Sequence, residues 1–247
     1  MSDNVTSSDN VTSQMSFLDH LEELRWRLLK SIIAIIFGGS FCFLFIDEIM
    51  QFLIAPIHNL SNQPDLQVLK VQGMFMIKWG VALLGGIVVA IPVLTYQLAK
   101  FIGPGMRTDE KKVMVPLVFF RYLAFLVGIV FAFYVLIPYS LEFFTSMGVI
   151  EVKNNFSINY YFSFITMLLL GSGIIFELPI VVFILSAIGL LTPAFMRHYR
   201  RHAIVVIIVL SAFITPPDPI SLILISIPLA FLYEISIGVS WMVNRSK

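Results

Sequence analysis

Residues 160–188 read YYFSFITMLLLGSGIIFELPIVVFILSAI, and this stretch decides the fold. At about 1.5 Å per residue, a helix of this length crosses a hydrocarbon core of about 30 Å with length to spare. Its only charged residue is Glu177, which would be costly against lipid and is therefore expected to face protein or water. Pro179 removes a backbone donor two residues later, so the sequence predicts a kink beside the glutamate.

The position of Glu177 allows two interpretations. In the first, the carboxylate is a polar contact point inside the membrane for a partner protein. In the second, it pairs with another helix of the same chain and has a structural role. Charged residues within spans often mark functional sites, which favours the first interpretation. We therefore expect Glu177, with Pro179 bending the helix beside it, on a protein surface that contacts a polar residue of a partner's span.

The composition is that of a membrane protein. Hydrophobic residues make up 58% of the chain and charged residues 13%, against about half and about a quarter in soluble domains. The net charge of +1 gives no reason to expect a nucleic-acid partner. The single cysteine, Cys42, excludes a disulfide framework and a cysteine-based metal site.

Six apolar segments predict an all-α fold, a polytopic bundle of six transmembrane helices. Besides residues 160–188, they are Ser31–Ile46, Trp79–Leu98, Val115–Ile137, Ala203–Ile214 and Ile220–Val239. Pro138 is expected to end the third helix. The last two helices are predicted to be short, since Ala203–Ile214 has about a dozen residues where a span needs about 20. Thr215–Pro219 (TPPDP) predicts the turn between them.

The polar ends of the chain are predicted to flank a single membrane domain at residues 16–241. Residues 2–7 and 8–13 both read SDNVTS and cannot form a core, so residues 1–15 are predicted to be disordered. Residues 15–29 have apolar positions at helical spacing among charges, which predicts an amphipathic surface helix leading into the first span. Residues 242–247 form a short C-terminal tail.

The distribution of Lys and Arg predicts the orientation. The N-terminal segment, the loops after the second and fourth spans, and the C-terminal tail hold twelve of the 16 basic residues, and Arg121 lies beside the first of these loops, just inside the third span. The opposite side has only Lys70, Lys78 and Lys153. Because positive charge is retained in the cytoplasm, both termini of this multi-pass protein are predicted to be cytoplasmic.

The sequence contains no pattern typical of an enzyme. It lacks a phosphate-binding G-x-x-x-x-G-K-[ST] loop and an H-E-x-x-H motif. Ser172 lies between two glycines in the fourth span, but the predicted spans contain no histidine to activate it, so helix packing is the better interpretation. His198 and His202 have helical spacing within a basic loop and are not expected to bind a metal. No catalytic residue, metal or cofactor is therefore predicted.

Four short stretches resemble the TatC family, the multi-span subunit of the twin-arginine protein translocase. They are HLEELRWRL at 20–28, FIGPGMRTDEKK at 101–112, FELP at 176–179 and TPPD at 215–218. Each is weak alone, but their order and spacing match the family from about Phe17 to Trp241. The resemblance implies a signal-peptide receptor and core scaffold in the cytoplasmic (inner) membrane that exports folded proteins, driven by the proton-motive force.

The resemblance also implies roles for individual residues. Glu23 and Glu110 match the two acids that recognise the arginine pair of the signal peptide, with Arg25, Phe101 and Pro104 around them. Two guanidinium groups suit two carboxylates, because each can form paired charge-assisted hydrogen bonds. The neighbouring acids Glu22 and Asp109 are alternative or additional carboxylates at the two places.

The remaining matches concern the membrane part and the partners. Glu177 matches the glutamate of the fourth span, Pro56 and Pro92 match prolines of the first external loop and second span, and Asp218 matches the last external turn. The implied partners are single-span proteins of the TatA and TatB types, twin-arginine signal peptides and other copies of the chain.

Two other functions remain open from the residues. A secondary transporter would use Glu177 to couple a proton or ion. Such transporters usually contain internal repeats, and none is evident between the two halves of this sequence. An intramembrane enzyme would require a nucleophile–base pair, which the predicted spans do not contain.

Overall fold

The structure is a computed structural model that describes residues 17–60, 63–102, 114–147, 155–215 and 219–245. Its helices are α1 (Phe17–Leu44), α2 (Ile46–His58), α3 (Gly73–Ile102), α4 (Met114–Phe131), α5 (Ile137–Ser146), α6 (Ile158–Phe176), α7 (Leu178–Ala187), α8 (Pro193–His198), α9 (Arg200–Ile214) and α10 (Pro219–Arg245). A π-helical segment, Ala132–Leu136, connects α4 to α5. Two short strands, β1 (Asp65–Gln67) and β2 (Asn155–Ser157), pair in parallel.

Five helical stretches among the described residues are long and apolar enough to cross a membrane. They are Leu21–Leu44, Gly73–Leu98, Val118–Ser146, Ile158–Ala187 and Pro219–Arg245. Many of their large apolar side chains lie exposed, as expected of helices that face lipid. These features make the chain a multi-pass helical membrane protein.

The predicted helices differ from the observed ones mainly at their ends. The amphipathic segment and the first span form one uninterrupted helix, α1. The third span does not end before Pro138, because this proline lies in the first turn of α5, where its missing N–H costs no hydrogen bond. The helix instead continues to Ser146.

The last two helices differ from each other in length. At 15 residues, or about 22 Å, α9 is shorter than a complete span. The final helix, α10, has 27 residues and is long enough to cross a bilayer, so it is not the short helix predicted from the sequence.

The core of the bundle is formed where α5, α6 and α10 meet. Its largest completely buried side chains include Leu136, Ile137, Ile165, Leu168 and Ile225. Around this core α1 packs on α3, α4 on α6, and α7 on α10. These pairings place the start of α1, the end of α3 and the start of α4 at one end of the bundle, which we call the N-terminal end.

The opposite end is closed by α2 and the two strands. Asp65 pairs with Asn155 and Gln67 with Ser157, so the segment before α3 is tied to the segment before α6. The hydroxyl of Tyr161 donates a hydrogen bond of 2.8 Å to the Leu53 carbonyl of α2. These contacts fix the start of α6, the helix that carries Glu177 at its far end.

Candidate functional sites

The first candidate site lies at the N-terminal end, where α1 passes the last turns of α3. Glu23 on α1 is half-buried and accepts a hydrogen bond of 2.9 Å from Arg27 Nε, with Arg27 Nη2 as a second donor to the same oxygen. Arg27 Nη1 lies 3.4 Å from Gln97 Oε1 on α3. The Glu23 carboxylate is therefore held by a guanidinium group that also contacts the second helix of the site.

Two further residues of the predicted signal-peptide site belong to these helices. Arg25 is exposed on α1. Phe101 lies in the last turn of α3, four residues after Gln97 and thus on the same face of the helix. Pro104 and Glu110 lie outside the described residues, in the connection from α3 to α4 that begins at this end of the bundle.

The second candidate site is the break between α6 and α7. The α-helix ends at Phe176, and Glu177 (φ −76°, ψ −8°) caps it with a backbone hydrogen bond to the Ile174 carbonyl. Pro179 lies in the first turn of α7, as predicted for a kink at this point. The break therefore places the Glu177 side chain at the junction of two helices, within the stretch that is long enough to span the membrane.

Glu177 pairs with an arginine of the neighbouring span. Arg121 on α4 donates from Nε to Glu177 Oε2 at 2.8 Å, and its Nη2 lies 2.5 Å from the same oxygen. The exposed fraction of the side chain is 17% for Arg121 and 8% for Glu177. The expectation that Glu177 lies on a surface is therefore wrong: the guanidinium compensates its charge inside the chain, so it can be buried. Glu177 therefore pairs with another helix of the same chain, as the second interpretation expects, while its role and a contact with a partner stay predictions.

Close packing of α4 against α6 brings the two charges together. Arg121, Phe125 and Gly128 are spaced along one face of α4, while Gly173 precedes Glu177 by one turn on α6. A Cβ atom at Gly128 would lie 2.7 Å from the Ser172 carbonyl oxygen, and one at Gly173 would lie 2.5 Å from the Phe125 ring. A side chain at Gly128 would therefore force the two backbones apart, and one at Gly173 would displace the Phe125 ring.

A hydrogen bond joins the same two helices. Ser172 Oγ donates to the Gly128 carbonyl at 2.9 Å. This contact supports the interpretation that Ser172 serves helix packing, because its hydroxyl is completely buried and directed at backbone.

The other predicted residues are placed in different parts of the fold. Pro56 is buried in α2 and lines a cavity of about 330 Å³ together with Phe133 and Glu142. Pro92 lies inside α3. Asp218 lies outside the described residues. No group of three or more His, Cys, Asp or Glu side chains that could bind a metal occurs in the described part of the chain.

The role of Arg121 was missed from the sequence, where it was counted only among the basic residues near a loop. Two opposite charges in consecutive antiparallel spans are the signal that could have identified it. Arg121 lies three residues after the start of the stretch Val118–Ser146 and Glu177 lies ten residues before the end of Ile158–Ala187, so both are on the side of the same end of two antiparallel spans.

This geometry defines the class of protein: a multi-pass helical membrane protein whose described residues include the Glu23–Arg27 pair at the N-terminal end and the Arg121–Glu177 pair within its spans. A family model described as "Sec-independent protein translocase protein (TatC)" matches residues 19–228. The chain belongs to the TatC family, which confirms the resemblance seen in its motifs.

Individual relatives match over almost the whole chain. The TatC of Helicobacter pylori is 38% identical over 225 residues, covering 91% of this chain and 87% of that protein. The TatC of Aquifex aeolicus is 34% identical over 235 residues, covering 94% and 98%. A crystal structure of the twin-arginine translocase receptor TatC matches with a TM-score of 0.80 at 34% identity, covering 91% of this chain and 99% of that one.

Proposed function

We propose that this chain is the twin-arginine signal-peptide receptor and core scaffold of a translocase that exports folded proteins across the cytoplasmic membrane, driven by the proton-motive force. Family membership supports a translocase subunit rather than a secondary transporter or an enzyme. The observation that carries the receptor role is the half-buried Glu23 carboxylate, which accepts two N–H donors of a guanidinium.

The proposed peptide site combines carboxylates from two segments. Glu23 lies on α1, and Glu110 lies in the connection that leaves α3 a few residues after Phe101. Arg27 shows how a guanidinium approaches Glu23, side-on through Nε and Nη2. In our proposal each arginine of the signal peptide binds one of the two carboxylates, Phe101 and Pro104 shape the apolar surroundings, and Arg25 contacts the peptide from the exposed face of α1.

The proposed topology has six spans with both termini in the cytoplasm. It takes α9 as the fifth, incomplete span. The pairing of Arg200 with Glu234 at 2.8 Å supports it, because the start of α9 and the second half of α10 then share one end. The basic loops fall on that side, as the retention of positive charge in the cytoplasm requires.

The membrane part is proposed to bind single-span partners of the TatA and TatB types and other copies of the chain. Glu177, at the helix break made by Pro179, is the proposed partner contact within the bilayer. Pro56, Pro92 and Asp218 are assigned structural roles that set the shape of the external loops and of α3.

A peptide-binding measurement tests the receptor role. The purified protein in detergent is titrated with a fluorescent twin-arginine signal peptide and with the same peptide carrying two lysines. Lysine keeps the charge but lacks the planar fork, so the twin-lysine peptide is expected to bind at least about 10-fold more weakly. Equal affinity for the two peptides would refute the proposed site.

Complementation tests the complete function. The gene is introduced into a bacterial strain that lacks its own subunit, and export of a folded twin-arginine reporter is measured. We expect export to be restored, and to be abolished when the membrane potential is dissipated. A chain that accumulates in the membrane and binds no twin-arginine cargo would contradict the proposal.

A further inference from the structure

The geometry of the Arg121–Glu177 pair is asymmetric. Both Nε and Nη2 of Arg121 approach Oε2 of Glu177, at 2.8 and 2.5 Å. A guanidinium commonly binds a carboxylate through both oxygens in a parallel fork. Here the second oxygen, Oε1, accepts no hydrogen bond from any residue that the structure describes.

A hydrogen bond to Oε1 of Glu177 would be strongly favourable inside the membrane. Both residues lie within stretches that can span the membrane, where water is scarce and the interior dielectric is low. The carboxylate accepts from Arg121 on one side only, and 8% of the Glu177 side chain is accessible.

We propose that Arg121 is a positioning residue for Glu177: it holds Oε2 and turns the carboxylate so that Oε1 accepts a hydrogen bond from a neutral donor on a partner's transmembrane span. This inference rests on the proposed function, in which Glu177 contacts a single-span partner. The donor is a side-chain amide or hydroxyl. An acidic side chain would be repelled by Glu177, and a cationic one would compete with Arg121 and leave its charge uncompensated.

A charge exchange separates positioning from simple pairing. Arg121→Glu combined with Glu177→Arg keeps an ion pair between α4 and the break but removes the acceptor from position 177. A photo-crosslinker at Val181, which is exposed one turn after Glu177, reports the contact with the partner span. We expect the exchanged protein to accumulate in the membrane while its crosslink to the partner falls at least about 10-fold. A wild-type crosslink in the exchanged protein would reduce the pair to a structural role.

A second experiment leaves the protein unaltered, so it does not depend on whether the exchange folds. Transmembrane peptides of alanine and leucine, about 23 residues long, carry Gln, Leu or Glu at the depth of Glu177, and their binding to the reconstituted wild-type protein is measured by energy transfer. One interhelical hydrogen bond in a membrane predicts about 5- to 30-fold tighter binding of the Gln peptide than of the Leu peptide. Equal binding of the Gln and Leu peptides, or tighter binding of the Glu peptide, would overturn the inference.

The result can be distinguished from failure of the proposed function. Binding of a twin-arginine signal peptide depends on the N-terminal end of the bundle and is measured on the same preparations. If signal-peptide binding is retained and the membrane peptides do not discriminate, the inference about Arg121 is wrong and the receptor role stands. Loss of signal-peptide binding in the wild-type protein would instead refute the proposed function.

Discussion

Arg121 and Glu177 compensate each other's charge inside the bilayer. A charge buried without a partner costs several kcal/mol, whereas a well-formed pair recovers most of that cost. Replacing either residue alone therefore leaves the other charge unpaired in a low-dielectric environment. A loss of activity in a Glu177 variant consequently has two possible causes, the missing partner contact and the uncompensated Arg121.

A comparison of single and double variants separates these two causes. Replacement of Glu177 or Arg121 alone by Met is expected to destabilise the protein by roughly 3–5 kcal/mol, because one charge remains buried and unpaired. The double replacement removes both charges and is expected to be more stable than either single variant. The measurement is thermal unfolding in detergent. A double variant that loses as much as the sum of the two single losses would contradict the pairing.

At the other site, Glu23 is expected to act through its charge. Glu23→Gln together with Glu110→Gln removes both proposed carboxylates while keeping side-chain shape. Loss of two charge-assisted contacts, each worth about 1.5–3 kcal/mol, is expected to weaken binding of a twin-arginine signal peptide at least about 100-fold while the protein still accumulates. Glu48→Gln, exposed on α2 at the opposite end of the bundle, is the matched control and should bind normally. Normal binding by the double variant would make the role assignment wrong.

The helices were largely predictable from the sequence, and their breaks only in part. The apolar run at 160–188 and the proline after Glu177 predict a kinked span, and the structure has a break at that residue. Pro138 carries the same local signal, yet the third span continues beyond it. A proline ends a helix only where its missing N–H would have formed a helical hydrogen bond. At Pro138 the hydrogen-bond pattern is set by the π-helical segment before it, and no residue pattern in the sequence indicates that segment.

Helix crossings escape sequence analysis for a similar reason. Glycines occur throughout the apolar segments, and composition does not say which of them lie between two helices. Gly128 lies against the backbone of α6, whereas Gly238 on α10 has no neighbouring atom within 4 Å of a built Cβ. The pairing of Arg121 with Glu177 depends on the Gly128 crossing, so its prediction required knowledge of the helix packing.

These two glycines provide a matched test of the crossing. Gly128→Ala would place a methyl group 2.7 Å from the Ser172 carbonyl oxygen and 2.9 Å from the Gly173 Cα atom, so the two helices must separate. We expect a loss of about 1–3 kcal/mol and a lower midpoint of thermal unfolding. Gly238→Ala should leave the midpoint unchanged or slightly higher, since alanine favours the helix. If the two variants unfold alike, the close α4–α6 contact is not important for stability.

At the scale of the whole molecule, packing and charge agree on one orientation. The contact of Arg27 with Gln97 places the start of α1 beside the end of α3, and Arg121 with Glu177 aligns the start of α4 with α7. The strands β1 and β2 and helix α2 occupy the other end. Of the 16 basic residues, only Lys70, Lys78 and Lys153 belong to the segments of that second end.

This asymmetry leads to a prediction of topology. Single cysteines replace Asp65, Glu151, Lys111 and Arg200 in turn, in a background in which the buried Cys42 is changed to Ala. An impermeant thiol reagent applied to intact cells is expected to label positions 65 and 151, which belong to the external segments. Positions 111 and 200 should react only after the membrane is opened, because their basic surroundings are retained in the cytoplasm.

The permeabilised sample serves as the control for reactivity at each site, since a buried cysteine would stay unlabelled in both conditions. Labelling of position 111 in intact cells would reverse the orientation, and labelling of position 200 but not 111 would remove one span from the six.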